Sequence, residues 1–299
     1  MGKIYFKQED DILNPCWDNV FKAAFTKDTP ESRGSLEHLL SAIIGRRLSV
    51  LAIVANEPPV DSVNERQIRY DINCKFDGGE LCNIEMTLNP DAYEAVRLEY
   101  YAGKLLTSQD IRGKDRSYRN LKRSYQIALI VNAPIIEDDA FAHNFKYYDE
   151  ERGVSLDGRS RIITVELSKL EQVAKKPVDE MTALERWALF FRYTPDKDKR
   201  GLVNEVIKFE EGIAMSAQVL LTISKDEKER ARLASEYKFA VDLQSKIVDA
   251  RRDGINEGSN ERAIAIARSM LANGESEEKI SLYTGLTYEE VEGLRKSII

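Results

Sequence analysis

The sequence predicts an α/β domain followed by a helical region. Short apolar, partly β-branched segments alternate with longer segments whose apolar residues recur every three or four positions, which is typical of strands alternating with helices. Beyond residue 200 every strong pattern is helical. With 299 residues, the chain is long enough for one large domain with an appendage or for two ordinary domains.

Two helices are predicted first. Apolar side chains recur at helical spacing between residues 14 and 45, and residues 27–30, which end in a proline, separate the two helices. Residues 48–54 (LSVLAIV) are short, apolar and partly β-branched, so they predict a buried strand.

Residues 67–87 predict a β-hairpin whose register follows from parity. Two alternating segments meet at residues 77–79 (DGG), a hairpin signal. Apolar side chains occupy the even positions and polar side chains the odd ones, so each set keeps to one face only if paired residue numbers add to an even value. A three-residue loop closing Phe76 on Glu80 gives the sum 156. The polar face then places Asp71 opposite Glu85.

The remaining α/β elements are a helix at 92–111, strands at 125–131 and 162–167, and a helix at 182–192. A polar stretch at 194–201 looks like a boundary. Helices are then predicted at 203–221 and 227–250, followed by a passage punctuated by Gly254 and Gly258 and by a final pair of helices around Gly274 and Gly285.

Composition excludes several classes of protein. The chain is 42% hydrophobic and 32% charged, which are globular values and exclude wholesale disorder. No apolar run approaches the roughly 20 residues of a membrane helix. No secretory signal is recognisable, so a cytoplasmic location is expected. Three cysteines and two histidines without metal-type spacing make a zinc site unexpected. The net charge of -7 argues against coating nucleic acid by bulk charge.

The opposed carboxylates of Asp71 and Glu85 carry the candidate chemistry. Mg²⁺ prefers hard oxygen ligands and keeps several waters for a phosphate substrate, so two carboxylates on neighbouring strands suit it. Such a metal would polarise a phosphodiester and generate the attacking hydroxide. The alternative is that both side chains are solvent-side charges on a half-exposed hairpin.

The sequence resembles the recombination-promoting nuclease or transposase group of the PD-(D/E)XK nuclease superfamily. The resemblance runs from about residue 14 to 131 and extends to the C-terminus. Its motifs are Asp18-Asn19-Val20-Phe21-Lys22, Asp71-Ile72, Asn83-Ile84-Glu85, Arg97 with Tyr100-Tyr101, Tyr118 with Leu121, Ala267-Arg268-Ser269-Met270-Leu271, Gly274 and Thr284-Gly285-Leu286-Thr287.

The resemblance implies a restriction-endonuclease-like αβββαβ core with a mixed sheet and a Mg²⁺-dependent DNA endonuclease. Asp71 and Glu85 would be the metal ligands, with Asp18 and Lys22 beside the site. The domains would be a nuclease-like domain at 1–195, a helical linker or oligomerisation region at 196–260 and a small helical module at 261–299. A role in transposition, recombination or defence against foreign DNA rests on the family analogy alone.

Thr87 is a departure from the group. The superfamily carries lysine, and this group commonly glutamine, two residues after the acidic ligand. A threonine hydroxyl can hold a water but brings no positive charge. The register sum places Arg69 opposite Thr87, so Arg69 could supply the cation, and Lys22 and Lys104 are further candidates. The alternative is an inactive module that binds DNA or a partner without cutting.

Local positive charge for DNA binding is concentrated in residues 97–123, which hold eight basic and three acidic side chains. Phosphate neutralisation by such residues supplies most non-specific affinity. Arg97 and Tyr101, one helical turn apart, are the expected phosphate-facing pair. The predicted DNA-binding residues are Arg97, Tyr101, Lys104, Arg112, Lys114, Arg116, Arg119, Lys122 and Arg123.

The terminal helices suggest a helix-turn-helix with Leu271, Ile280, Leu286 and Val291 as its core. Residues 261–299 hold five basic and seven acidic side chains, which favours an oligomerisation or regulatory role over DNA reading. We therefore expect a homo-oligomer through the helical C-terminal region.

An internal translation start is a further expectation. The codons for residues 210–212 (EEG) can spell a ribosome-binding sequence, and Met215 follows after two codons. The resemblance includes such internal starts, so an 85-residue fragment beginning at Met215 would bind the full-length protein. Coincidence in a glutamate-rich helix is the alternative.

Overall fold

The computed structural model describes residues 4–54, 70–109 and 117–298. Its elements in chain order are α1 (Asp18–Thr26), α2 (Pro30–Ile44), β1 (Val50–Ile53), β2 (Ile72–Phe76), β3 (Leu81–Thr87), α3 (Glu94–Thr107), β4 (Ser124–Ile130), β5 (Ala142–Phe145), β6 (Tyr147–Asp149), β7 (Val154–Leu156), β8 (Ser160–Glu166), α4 (Ala183–Tyr193), α5 (Arg200–Phe209), α6 (Glu211–Lys225), α7 (Glu227–Ala272), α8 (Glu277–Thr284) and α9 (Tyr288–Ile298).

The main sheet has six strands in the order β1-β2-β3-β4-β8-β5. β1, β2 and β3 are antiparallel neighbours, β3, β4 and β8 are parallel, and β5 is antiparallel to β8. α3 provides the crossover between the parallel strands β3 and β4. The predicted αβββαβ core with a mixed sheet is confirmed.

Local sequence explains where several helices begin and end. Thr29 caps α2 by accepting a hydrogen bond from the Ser32 N–H, and Gly45 ends that helix in the left-handed conformation. α4 begins with a capping box, in which Thr182 and Glu185 each accept a hydrogen bond from the other's backbone. These caps satisfy backbone groups that a helix end leaves without partners.

The two faces of the sheet are covered differently. Ile84, Ile127 and Ile163 align across β3, β4 and β8 and belong to the large core that also contains residues of α1, α2, α4 and α6. On the other face, Leu98 of α3 packs on Ala128 and Ile130. The polar positions of β2 and β3 lie on this second face, next to α3.

Two predictions about the helical region were wrong. The segment 203–221 is not one helix, because the backbone at Glu210 is extended and separates α5 from α6. Gly254 and Gly258 do not interrupt the helix, since both lie inside α7. A glycine inside a helix costs only about 1 kcal/mol relative to alanine, which a long helix tolerates.

The chain divides into two compact units, residues 1–237 and 238–299. α5 and α6 belong to the first unit, where Val206, Ile213 and Leu220 are buried in the large core. The predicted boundary after residue 195 does not coincide with this division, and the functional division into three domains stays a prediction. Among the described residues no helix is both long and apolar enough to span a bilayer.

Candidate active site

The β2–β3 hairpin has the predicted register. Ile72 pairs with Ile84 and Cys74 with Cys82, so the residue numbers of each pair add to 156. Gly79 occupies the left-handed position of the three-residue loop, and the Phe76 N–H donates to the Glu80 carbonyl across it. Asp71, immediately before β2, therefore lies at the pair position opposite Glu85.

Asp71 is held by α1 and by β3. One carboxylate oxygen lies 3.0 Å from Lys22 Nζ, and the other accepts the Met86 N–H at 3.0 Å. Lys22 also lies 2.9 Å from Asp18, so α1 brings both of these predicted residues to the site. Burial raises the pKa of the Asp71 carboxyl to about 6, and Asp18 adds to the rise while Lys22 opposes it.

Glu85 lies under α3 and is only 4% exposed. The Asn83 amide donates to Glu85 Oε1 at 2.8 Å, while Oε2 faces Arg97 Nη2 at 3.9 Å, too far for a hydrogen bond. Burial raises the pKa of the Glu85 carboxyl to about 7, and the charge of Asp71 adds to the rise. The alternative that these carboxylates are solvent-side charges is wrong, because Glu85 is buried and the Asp71 side chain is only 17% exposed.

Thr87 belongs to a cluster with two residues of the first turns of α3. Its hydroxyl donates to Glu94 Oε1 at 3.2 Å and accepts from Arg97 Nη2 at 3.1 Å. Arg97 Nη2 also lies 2.7 Å from Glu94 Oε1. The Thr87 proton is therefore already used, so a water held by this hydroxyl would have to donate to Oγ1. That Thr87 holds a water stays a prediction.

Sequence reasoning assigned no role to Glu94 or Gln126. Gln126 on β4 is fully buried and accepts a hydrogen bond from the Asn83 amide at 3.0 Å, so it fixes the side chain that orients Glu85. A polar side chain in the middle of the apolar strand YQIALIV was a usable signal for Gln126. For Glu94, the signal was its spacing of three residues from Arg97 on a predicted helix.

The predicted basic residues do not converge on the carboxylates as a group. Arg119, Lys122 and Arg123 precede β4, and Arg123 lies next to the start of β3, about five residues or roughly 16 Å along the sheet from Glu85. Arg123 pairs there with Asp157 at 3.0 Å. The predicted residues Arg69, Arg112, Lys114 and Arg116 lie outside the described residues.

Arg97 and Lys104 lie on α3 together with Tyr101. The Arg97 guanidinium carbon is 5.9 Å from the centre of the Tyr101 ring, as expected for residues one helical turn apart. Lys104 Nζ lies at the same distance from the Tyr100 ring. Arg97 is thus a predicted DNA-binding residue that also contacts Thr87 and Glu94 at the candidate active site.

The donor set fits a hard divalent cation. Among the described residues at the site, four carboxylates (Asp18, Asp71, Glu85 and Glu94) accompany two cations (Lys22 and Arg97). Burial, and after it the charge of a neighbouring carboxylate, raises the pKa of both Asp71 and Glu85. No group of three or more His, Cys, Asp or Glu side chains in the described part of the chain could hold a metal. Two carboxylates with waters suit Mg²⁺, whereas an all-protein cage would need more.

The C-terminal unit has a small core of its own. Ile280, Leu286 and Val291 are buried together with Ala267, and Leu271 packs against them. Gly285 ends α8 in the left-handed conformation, and α9 follows after a short turn. The predicted core of a helix-turn-helix is therefore confirmed.

Two profiles of known protein families match the chain, one over most of its length and one at its C-terminal end. The profile of the PD-(D/E)XK nuclease family transposases matches residues 15–250, and the profile of the C-terminal helix-turn-helix domain of the Rpn/YhgA-like nuclease family matches residues 260–296. No curated protein and no solved structure matches the chain significantly. The first profile covers well over half of the sequence and contains the whole site, so the chain belongs to the PD-(D/E)XK nuclease family transposases.

Proposed function

We propose that the protein is a Mg²⁺-dependent DNA endonuclease that hydrolyses phosphodiester bonds at Asp71 and Glu85. The observation that carries this proposal is the pair of opposed carboxylates whose pKa values burial raises to about 6 and about 7. Placing two such groups at one pair position, with Glu85 buried and the Asp71 side chain only 17% exposed, is costly unless a cation joins them. Because the chain belongs to a family of nucleases, a catalytic metal ion is the most direct explanation for this pair of carboxylates.

Each residue around the pair has a proposed role. Asp71 and Glu85 would hold Mg²⁺, which when bound would polarise the phosphodiester and supply the attacking hydroxide. Lys22 keeps Asp71 in its charged form through an ion pair at 3.0 Å. Asn83 orients Glu85, and Gln126 orients Asn83. Asp18 fixes Lys22 from the same helix.

DNA is the proposed substrate because of the family and the positive charge of residues 97–123. The C-terminal helix-turn-helix is a fold typical of DNA binding, although its acidic charge favours a regulatory or oligomerising role. Homo-oligomerisation through the helical region, the fragment from Met215, the cytoplasmic location and a role in recombination stay predictions.

A plasmid-nicking assay with Mg²⁺ tests the proposal. Asp71→Asn and Glu85→Gln should each lower cleavage by at least about 100-fold, because even outer-shell partners of metal ligands are worth roughly 10–100-fold. Asp77→Asn, in the exposed hairpin loop at the other end of the same strands, is the matched control and should cleave normally. Equal activity in all variants would exclude this site.

The second candidate function is an inactive module that binds DNA or a partner. Thr87 is the observation that favours it, because the group's usual lysine or glutamine is missing there. Metal-dependent DNA binding by wild type without any cleavage would support this second function.

A further inference from the structure

We propose that Arg97 contacts the scissile phosphate in place of the basic side chain that position 87 lacks, and that Glu94 and Thr87 position it for this contact. The inference rests on the proposed nuclease function. It assigns to a helix residue the positive charge that strand β3 does not supply.

The location of Arg97 supports this role. Arg97 Nη2 lies 3.1 Å from Thr87 Oγ1 and 3.9 Å from Glu85 Oε2, so the guanidinium is beside both the proposed metal ligand and the position with the missing charge. The short side chain of Thr87 leaves room for it.

The orientation of the Arg97 guanidinium also supports this role. Within the described residues every side-chain hydrogen bond of Arg97 uses Nη2, with Glu94 and Thr87 as the acceptors. Nη1 and Nε are therefore left to contact a ligand, and a guanidinium suits the paired oxygens of a phosphate. The Arg97 side chain is 42% exposed, whereas the Glu94 side chain beneath it is 4% exposed. Arg97 is thus anchored on a buried carboxylate while its side chain as a whole is partly accessible to solvent.

Lys22 and Lys104 are two other cations of the described residues that could supply the charge. Lys22 already lies within 3.0 Å of two carboxylates, Asp18 and Asp71. Lys104 is seven residues from Arg97 on the same helix, about 10 Å along its axis. Neither is as well placed to reach a phosphate beside Glu85.

A purely structural role for Arg97, as the partner of buried Glu94, makes a different prediction. If Arg97 only held the carboxylates in place, its loss would weaken metal binding together with cleavage. If Arg97 contacts the phosphate, its loss removes a positive charge beside Glu85, so metal binding stays at least as tight while cleavage falls.

The test uses the full chain with Arg97→Met, Arg97→Lys, the double variant Arg97→Met/Thr87→Lys and the control Arg152→Met. Arg152 is an exposed residue between β6 and β7 that pairs only with surface acids among the described residues. Plasmid nicking with Mg²⁺ gives the rate, calorimetric titration with Ca²⁺ gives metal affinity, and anisotropy of a fluorescent duplex in Ca²⁺ gives DNA affinity.

Arg97→Met should lower the cleavage rate by about 10²–10³-fold, the usual loss for one preorganised donor to a developing oxyanion. Its Ca²⁺ affinity should equal or exceed that of wild type, and its DNA affinity in Ca²⁺ should fall by about tenfold or more, the value of a charged hydrogen bond. Arg97→Lys should retain part of the rate. Adding Thr87→Lys to Arg97→Met should raise the cleavage rate at least about tenfold over Arg97→Met alone, because it returns a positive charge to the strand.

Two results would overturn the inference. One is cleavage by Arg97→Met within threefold of Arg152→Met. The other is a loss of Ca²⁺ affinity in Arg97→Met that accounts for its loss of cleavage. If wild type does not cleave, the proposed nuclease function fails, and the DNA affinity measured in Ca²⁺ then tests the phosphate contact alone. A DNA affinity of Arg97→Met that is tenfold weaker than that of wild type would support the contact. Equal DNA affinities would refute it.

Discussion

Glu85→Gln should stabilise the metal-free protein at neutral pH. Glu85 is buried and has Arg97 only at 3.9 Å, and the polar contacts of Asn83 and Gln126 do not offset the cost of burying its charge. Glutamine has the same shape and can accept the same hydrogen bond. The substitution therefore removes a buried charge without removing volume, which isolates the electrostatic cost of the ligand.

The size of this effect follows from the pKa of Glu85, which rises from 4.5 to about 7. Because the folded state binds this proton more tightly than the unfolded chain, stability is lost as the pH rises from about 4.5 to 7. The shift corresponds to up to about 3 kcal/mol at pH 8. For a unit of this size that is roughly 6–12 °C in Tm.

Thermal unfolding in EDTA between pH 4 and pH 8 measures the difference. Glu85→Gln should match wild type near pH 4 and exceed its Tm increasingly up to about pH 7, whereas Asp77→Asn should differ from wild type by a constant amount. Mg²⁺ should then raise the Tm of wild type and not that of Glu85→Gln. A Glu85→Gln protein that is less stable than wild type at pH 8, or a difference independent of pH, would refute the electrostatic reasoning.

Three further predictions concern other residues. Asn83→Leu removes the donor to Glu85 and should weaken Ca²⁺ binding by about 10-fold or more in calorimetry; unchanged affinity in a folded variant would contradict the orienting role. Lys122→Met with Arg123→Met should lower the salt dependence of DNA binding by about one per charge and leave cleavage at saturating DNA unchanged, because both lie far from Glu85; an unchanged salt slope would show that they do not meet the phosphates. Met215→Leu should abolish an 85-residue product on immunoblots of the C-terminus, and its persistence would end the internal-start hypothesis.

The sequence predicted the carboxylate pair because strand periodicity is strict. Residues of one parity share one face, so the loop at 77–79 and the alternation of Cys74 and Cys82 with polar neighbours determined which residues pair. The burial of the polar face could not be predicted in this way. It depends on α3, whose Leu98 packs against β4 from a distant part of the sequence.

The cluster around Thr87 was missed for the same reason. Glu94 and Arg97 follow Thr87 closely in sequence, but their contacts depend on how α3 crosses the sheet.

The crossover also explains why the basic residues before β4 lie away from the carboxylates. Because β3 and β4 are parallel, the chain must return to the other end of the sheet before β4 starts, which carries Arg123 away from Glu85.

Elements outside the main pattern were harder to predict. β5 is short and half exposed, and the β6–β7 hairpin is largely exposed and forms a separate sheet, so neither shows the apolar alternation of a core strand. The break between α5 and α6 is a tertiary effect. The Glu210 side chain there pairs with Arg186 and His38, which helical periodicity alone does not reveal.

A crystal structure of the full chain with Mn²⁺ and a short DNA duplex tests the central claim most directly. Mn²⁺ favours the same oxygen ligands as Mg²⁺ and can be located by its anomalous scattering. We expect one peak within about 2.5 Å of an oxygen of both Asp71 and Glu85, with a phosphate oxygen completing its coordination. A peak bound by other residues, or DNA seated away from these two carboxylates, would contradict the assignment of this site to phosphodiester hydrolysis.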